Sequence, residues 1–184
     1  MLEKYLVEHC APTLASLKTA NLFNYFFDNE ENLFESINYW NKELCSKGVQ
    51  LILMKVHNKG ALVYVCRKDR LEKDLNKDGV KEFLAECGYE SNNADYAIER
   101  LKSRLAYSDD FPHEIGVFLD YPLGDVKGFI SNSGANCKCT GCWKVYCNEC
   151  DARKTFAKFN KCRSVYSRIW GAGQRNVMQL TVAS

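Results

Sequence analysis

The chain has 184 residues, 46% hydrophobic and 26% charged, with eleven glycines and only three prolines. This is one domain's length with ample apolar material for a core, which excludes a disordered or collagen-like chain. No apolar run approaches the roughly 18 residues of a membrane helix, and the start MLEKYLVEHC lacks the pattern of a secretory leader. A soluble, cytoplasmic protein without a membrane partner is therefore expected, read as a single domain over residues 1–184. The net charge of +2 is unevenly spread: residues 1–110 carry 15 basic and 18 acidic side chains, residues 111–184 ten and five. The C-terminal part thus favours an anionic partner.

Taken in chain order, residues 2–9 carry a helical spacing through Leu2, Tyr5, Leu6 and His9. Pro12 fits the first turn of a second helix reaching about Phe27 through Leu14, Leu17, Leu22 and Phe26. Asp28 and Glu31 form a capping-box-like pair before a third helix, whose inner stripe is Leu33, Ile37, Trp40 and Leu44 and whose stop is Gly48. VQLILMKV and ALVYVCR flank the turn residues His57-Asn58-Lys59-Gly60, which predicts a hairpin at 49–66. Helical patterns return at about 69–76, 78–87 and 92–106. IGVFLDY (115–121) reads as a short buried strand, and Pro122 opens a helix containing Val126, Phe129 and Ile130. WKVY (143–146) reads as another strand, followed by a helix from about Asp151 to Trp170. The fold class is α+β, a small mixed β-sheet of about four strands packed by several helices.

Three segments, HCAPTLASLKTANLF (9–23), FPHEIGVFLDYPLGDVKGFI (111–130) and GCWKVY (141–146), together resemble a bacterial family from anaerobes whose function is not established. The resemblance covers nearly the whole chain, and Cys10, Pro12, His113, Glu114 and Trp143 match its pattern. Cys147 and Cys150 depart from it, because the stretch after WKVY is usually acidic and cysteine-poor there. The resemblance therefore carries no family-wide metal role for those two, and it transfers no activity.

Ten cysteines are the anomaly of this composition. In a chain with no export signal the thiols stay reduced, leaving core filler, metal ligands or reactive thiols as their roles. Cys45, Cys66 and Cys87 stand alone among ordinary helix and strand residues and read as filler.

Cys10, just before Pro12, would lie at a helix N-terminus, where unpaired amides favour a thiolate. His113 could then serve as base, oriented by Glu114 or Asp120, with His9 as a rival partner. The ordinary alternative is a packed thiol and a histidine satisfying a turn. Lys18 falls two turns past Cys10, facing either solvent or the same pocket.

The cluster Cys137, Cys139, Cys142, Cys147 and Cys150 reads C-x-C-x2-C-x4-C-x2-C, with Cys162 beyond. Paired C-x2-C steps suit zinc or an iron–sulfur cluster, although ribbon sites place about 15–20 residues between the pairs. If WKVY is extended, roughly 16 Å separates the backbones of Cys142 and Cys147. One metal would then need a tight turn at Lys144-Val145 or ligands from one side only. Surface thiols of no fixed role are the alternative.

Between Lys138 and Arg175 there are nine basic residues and two acidic ones. Lys154, Lys158, Lys161 and Arg168 share one helical face, opposite Ala152, Phe156, Phe159, Tyr166 and Trp170. Such a face can bind phosphate or nucleic acid, but it is more commonly a solvated exterior over a core stripe. Motifs for NTP hydrolysis, dinucleotide binding, zincin proteolysis and serine hydrolysis are absent. The leading expectation is thiol-dependent metal or redox handling. A Cys10–His113 enzyme comes second and phosphate or nucleic-acid binding through the basic helix third.

Overall fold

The computed structural model describes residues 1–107 and 111–183. It is an α+β structure with one three-stranded antiparallel sheet and a separate two-stranded ribbon. The described chain divides into two compact units, one formed by residues 1–71 and 162–184, the other by residues 72–161. No helix among the described residues is long and apolar enough to cross a membrane.

In the first unit, α1 (Leu2–Leu14) buries Leu2, Leu6, Cys10 and Leu14, a four-residue spacing that lays one stripe on the core. Pro12 lies inside the last turn of this helix rather than opening a new one. Helix formation ends at Ser16, whose φ is +56°, and β1 (Ala20–Phe26) follows. The expected second helix is thus a strand. Its sequence ANLFNYF alternates, with Phe23 and Tyr25 buried and Asn24 and Phe26 exposed, and that period of two prevails over the looser leucine spacing.

The expected 49–66 hairpin is present as β2 (Gln50–His57) and β3 (Gly60–Cys66). Asn58 takes a positive φ at its turn, a conformation asparagine tolerates well. The sheet order is β1-β3-β2, with Phe23 opposite Val63 and Leu53 also opposite Val63. Helix α2 (Glu30–Leu44) begins at Asn29, whose side chain accepts from the Glu31 N–H. Gly48 closes the following 3-10 turn in the left-handed conformation, where glycine carries no Cβ penalty.

Arg67, at the end of β3, is only 1% exposed. Its Nε donates to the Thr13 carbonyl and its Nη2 to the Leu14 carbonyl, at 2.7 and 2.8 Å. The guanidinium also donates to the carbonyls of Lys47 and Val182. It thereby adds a charged donor to two C-terminal carbonyls of α1 that also accept from the Ser16 and Val182 N–H groups, and ties residue 182 to the end of β3. Burial lowers its pKa, with Arg70 acting in the same direction.

The second unit contains α4 (Val80–Glu86), α5 (Ala94–Tyr107), α6 (Ile115–Phe118) and α7 (Leu123–Ser131). Helix α3 (Lys68–Leu75) leads into it, and α8 (Glu149–Gly171) starts in it and ends in the first unit. The N-terminus of α5 is capped by Glu72, which accepts from the Ala94 N–H, and by Asn93, which accepts from those of Asp95 and Tyr96. IGVFLDY, expected as a strand, forms α6 and a turn through Asp120, whose φ is +60°. Five consecutive buried residues, Ile115 to Leu119, carry no period, so burial alone did not separate a strand from a short helix. The ribbon pairs β4 (Cys139–Thr140) with β5 (Lys144–Val145), and α9 (Val177–Leu180), with a full capping box, lies near the chain end.

Replacing Arg67 by Met removes the charged donor to four carbonyls, of which those of Thr13 and Leu14 keep a backbone N–H from Ser16 and Val182. We expect urea denaturation to show a loss of about 3 kcal/mol or more.

Candidate thiol site

The cysteine-rich segment is built around one carboxylate. Asp125, in the first turn of α7, is 3% exposed. Its Oδ1 accepts from the backbone N–H groups of Tyr146 and Cys147, both at 2.8 Å. Its Oδ2 accepts from the Trp143 indole Nε1–H at 2.7 Å. The Trp143 ring stacks on Tyr121 and meets Phe156 edge-on. Strand β5 and the residues after it are thus hung from α7 by three bonds to one charged acceptor, which are stronger than neutral ones.

Two glycines let the segment come close. A Cβ at Gly124 would meet the Cys147 Sγ, and one at Gly128 would strike the Tyr146 ring. The four-residue spacing puts both glycines on the face of α7 that residues 146 and 147 cover. Gly141, in the turn between β4 and β5, lies against the Phe156 ring with no room for a side chain.

The tight turn therefore falls at residues 141–143, not at Lys144-Val145. Cys139 and Cys142 bracket it, Cys147 follows the far end of β5, and Cys150 is the second residue of α8. Asn148 caps that helix, its Oδ1 accepting from the Asp151 N–H and its Nδ2 donating to Asp151 Oδ2. The sequence Cys147-Asn148-Glu149-Cys150 consequently spans the start of α8, with both thiols free and exposed. Lys138 Nζ donates to the Cys147 carbonyl. Cys137, Cys139 and Cys142 are half-buried, and Cys137 Sγ lies 3.5 Å from the Thr140 hydroxyl. Among the described residues, no three His, Cys, Asp or Glu side chains are placed to share a metal ion.

The other candidates stand elsewhere. Cys10 is in the third turn of α1 with no exposed surface, so the expected helix start is not beneath it. Burial pushes its thiol far above the ordinary range, and Lys18 and Arg163 only partly oppose this. His113 belongs to the other unit. It sits exposed in a turn rather than on a strand, its ring 4.9 Å from that of Phe129. Glu114 is buried, pairs with Arg104 and accepts from the Tyr89 hydroxyl at 3.1 Å. Its carboxylate is engaged by those partners rather than by an imidazole.

Lys154, Lys158, Lys161 and Arg168 are exposed on α8, and Ala152, Phe156 and Phe159 are buried beneath. Of the presumed filler thiols, Cys66 is buried and Cys87 half-buried. Cys45 is instead exposed in the 3-10 turn after α2.

The motifs at 9–23, 111–130 and 141–146 thus fall on α1 with β1, on α6 with α7, and on the ribbon. Residues 6–181 match the family described as proteins of unknown function, DUF3793. The chain belongs to that family. No curated protein and no solved structure matches it. Within this member, Asp125, Gly124 and Gly128 went unremarked in the sequence. An aspartate in the first turn of a helix is an ordinary terminal residue, so only its partners distinguish it.

Two outcomes follow from this geometry. Asp125→Asn puts an amide donor against the Trp143 N–H, and chemical denaturation should show a loss of about 1–3 kcal/mol. In native protein, peptide mapping after brief alkylation should find Cys147, Cys150 and Cys45 modified and Cys10 protected until the protein unfolds.

Proposed function

We propose that the protein carries out thiol–disulfide exchange through Cys147 and Cys150. The observation that supports this reading most is the exposed C-x-x-C that spans the start of α8, with the backbone of its first cysteine fixed by Asp125. Cysteines three residues apart at a helix start can close on one another, and both of these are open to a substrate.

In this reading the Cys147 thiolate attacks a substrate disulfide, forming one S–S bond and breaking another. The first substrate sulfur leaves as a thiol. Cys150 then attacks the mixed disulfide, the second substrate sulfur leaves, and the Cys147–Cys150 disulfide remains. The two protons given up by the cysteines end on the two released sulfurs. A low-molecular-weight thiol of the reducing cytoplasm supplies the two electrons that restore the dithiol.

The reduced form can be equilibrated anaerobically in thiol–disulfide buffers, quenched with acid and alkylated. One intramolecular disulfide should map to the peptide containing Cys147 and Cys150, and Cys150→Ser should trap a mixed disulfide on Cys147. The reading is overturned if both thiols stay alkylatable across the buffer series. Pairing of Cys147 with a cysteine other than Cys150 would equally overturn the assignment of the dithiol. Metal and acid-labile sulfide are measured on the same samples. Stoichiometric zinc or an iron–sulfur cluster that blocks both thiols would replace exchange with metal handling.

A further inference from the structure

Strand β1 is an edge of the three-stranded sheet, and its hydrogen-bonding phase follows from its two ends. The Arg67 N–H donates to the Thr19 carbonyl, and the Phe27 N–H donates to the Lys59 carbonyl. Both pairs continue the antiparallel register that sets Ala20 opposite Cys66 and Phe26 opposite Gly60. Opposed residues alternate between bonded and non-bonded pairs, so Asn21, Phe23 and Tyr25 turn their N–H and carbonyl groups to β3. Leu22, Asn24 and Phe26 turn theirs to the open side. Those three are also the less buried ones: Leu22 is half-buried, Asn24 exposed and Phe26 64% exposed.

The two edges of this sheet are built differently. At β2 the Asn41 side chain engages the main chain of Leu51, donating to its carbonyl and accepting from its N–H. The register then shifts between Leu53 and Lys55, and Lys55 and His57 are exposed beyond it. A side-chain cap, a bulge and a lysine are all obstacles to further strand pairing. Strand β1 has neither charge nor proline from Thr19 to Phe27, and its register against β3 is unbroken.

We infer that β1 is a self-association edge, on which β1 of a second copy of this chain pairs antiparallel about Asn24. This register sets Asn24 opposite Asn24 and Leu22 opposite Phe26, and it joins outward groups only to outward groups. The pattern is symmetric, so a single two-fold contact satisfies both strands at once. The joined sheet runs β2-β3-β1-β1-β3-β2. Its outer edges are then the two that Asn41, the bulge and Lys55 protect. A foreign strand would bring its own second edge and leave the assembly open. Because β1 is uncharged, no like charges meet when identical strands approach. Pairing over residues 22–26 buries less than a standard interface of roughly 1,600 Å², so the dimer is reversible and depends on concentration.

Sedimentation of the full chain over a wide concentration range should show a monomer–dimer equilibrium. Asn24→Lys sets like charges face to face and should weaken association about fivefold or more. Asn24→Asp should do the same, and an equimolar mixture of the two variants should associate more tightly than either alone. That recovery separates a contact at Asn24 from a variant that fails to fold. In hydrogen exchange, the amides of Leu22, Asn24 and Phe26 should gain protection as concentration rises, while those of Asn21, Phe23 and Tyr25 are protected throughout. A wild-type chain that stays monomeric at every concentration would overturn the inference. A dimer that both variants leave intact would overturn it too, as would protection of the three outward amides only on addition of an extended peptide.

Discussion

The cysteine-rich region depends on a buried carboxylate that, among the described residues, is held by N–H donors rather than by a cation. Asp125 is compensated by two backbone N–H groups and an indole N–H, all within 2.8 Å. An isolated buried charge would be prohibitively costly, and three well-aimed donors are what make it tolerable. The same bonds fix where residues 143–147 run. A two-residue ribbon has too few ladder bonds to hold itself, so the position of Cys147 derives from α7 more than from the ribbon. The glycines at 124 and 128 are the second half of that arrangement, because residues 146 and 147, whose N–H groups the carboxylate accepts, lie close against α7 where it presents no side chains.

The other unit solves a related problem with the opposite charge. Arg67 donates to the last two carbonyls of α1, and it joins them to the carbonyls of Lys47 and Val182. In both places an ionised side chain is satisfied chiefly by the main chain, so it fixes the path of the backbone and not merely the packing of side chains. A planar guanidinium with several donors suits scattered carbonyls. A carboxylate with two oxygens suits a pair of adjacent N–H groups and one ring N–H.

The elements legible in the sequence were those with a clear period or a clear terminal signal. The hairpin at 49–66 has both alternation and turn residues, and α2, α5 and α8 each bury one stripe. Two segments misled for different reasons. In ANLFNYF the alternation was genuine, but Leu14 and Leu17 before it, with Leu22 and Phe26 inside it, also fit a helical spacing. In IGVFLDY every residue up to Leu119 is buried, so no pattern existed to read. Tertiary surroundings decided both. The cysteine cluster was visible as composition, yet the placement of its turn depended on Gly141 against Phe156, a contact between residues fifteen apart in the chain.

The ten thiols sort by what surrounds them. Cys10, Cys66 and Cys162 are buried, and at Cys10 and Cys162 the main effect of that burial is to hold the thiol protonated. Packing is a sufficient account of these three, since a small apolar side chain is all the site requires. It is not a sufficient account of Cys147 and Cys150, which are exposed and bury little. Serine or alanine would serve a solvent-facing position at a helix start as well, and serine would serve as a helix cap better. An exposed thiol also carries a standing liability to oxidation. Two of them set three residues apart, on a backbone held by Asp125, are what the proposed exchange reading rests on.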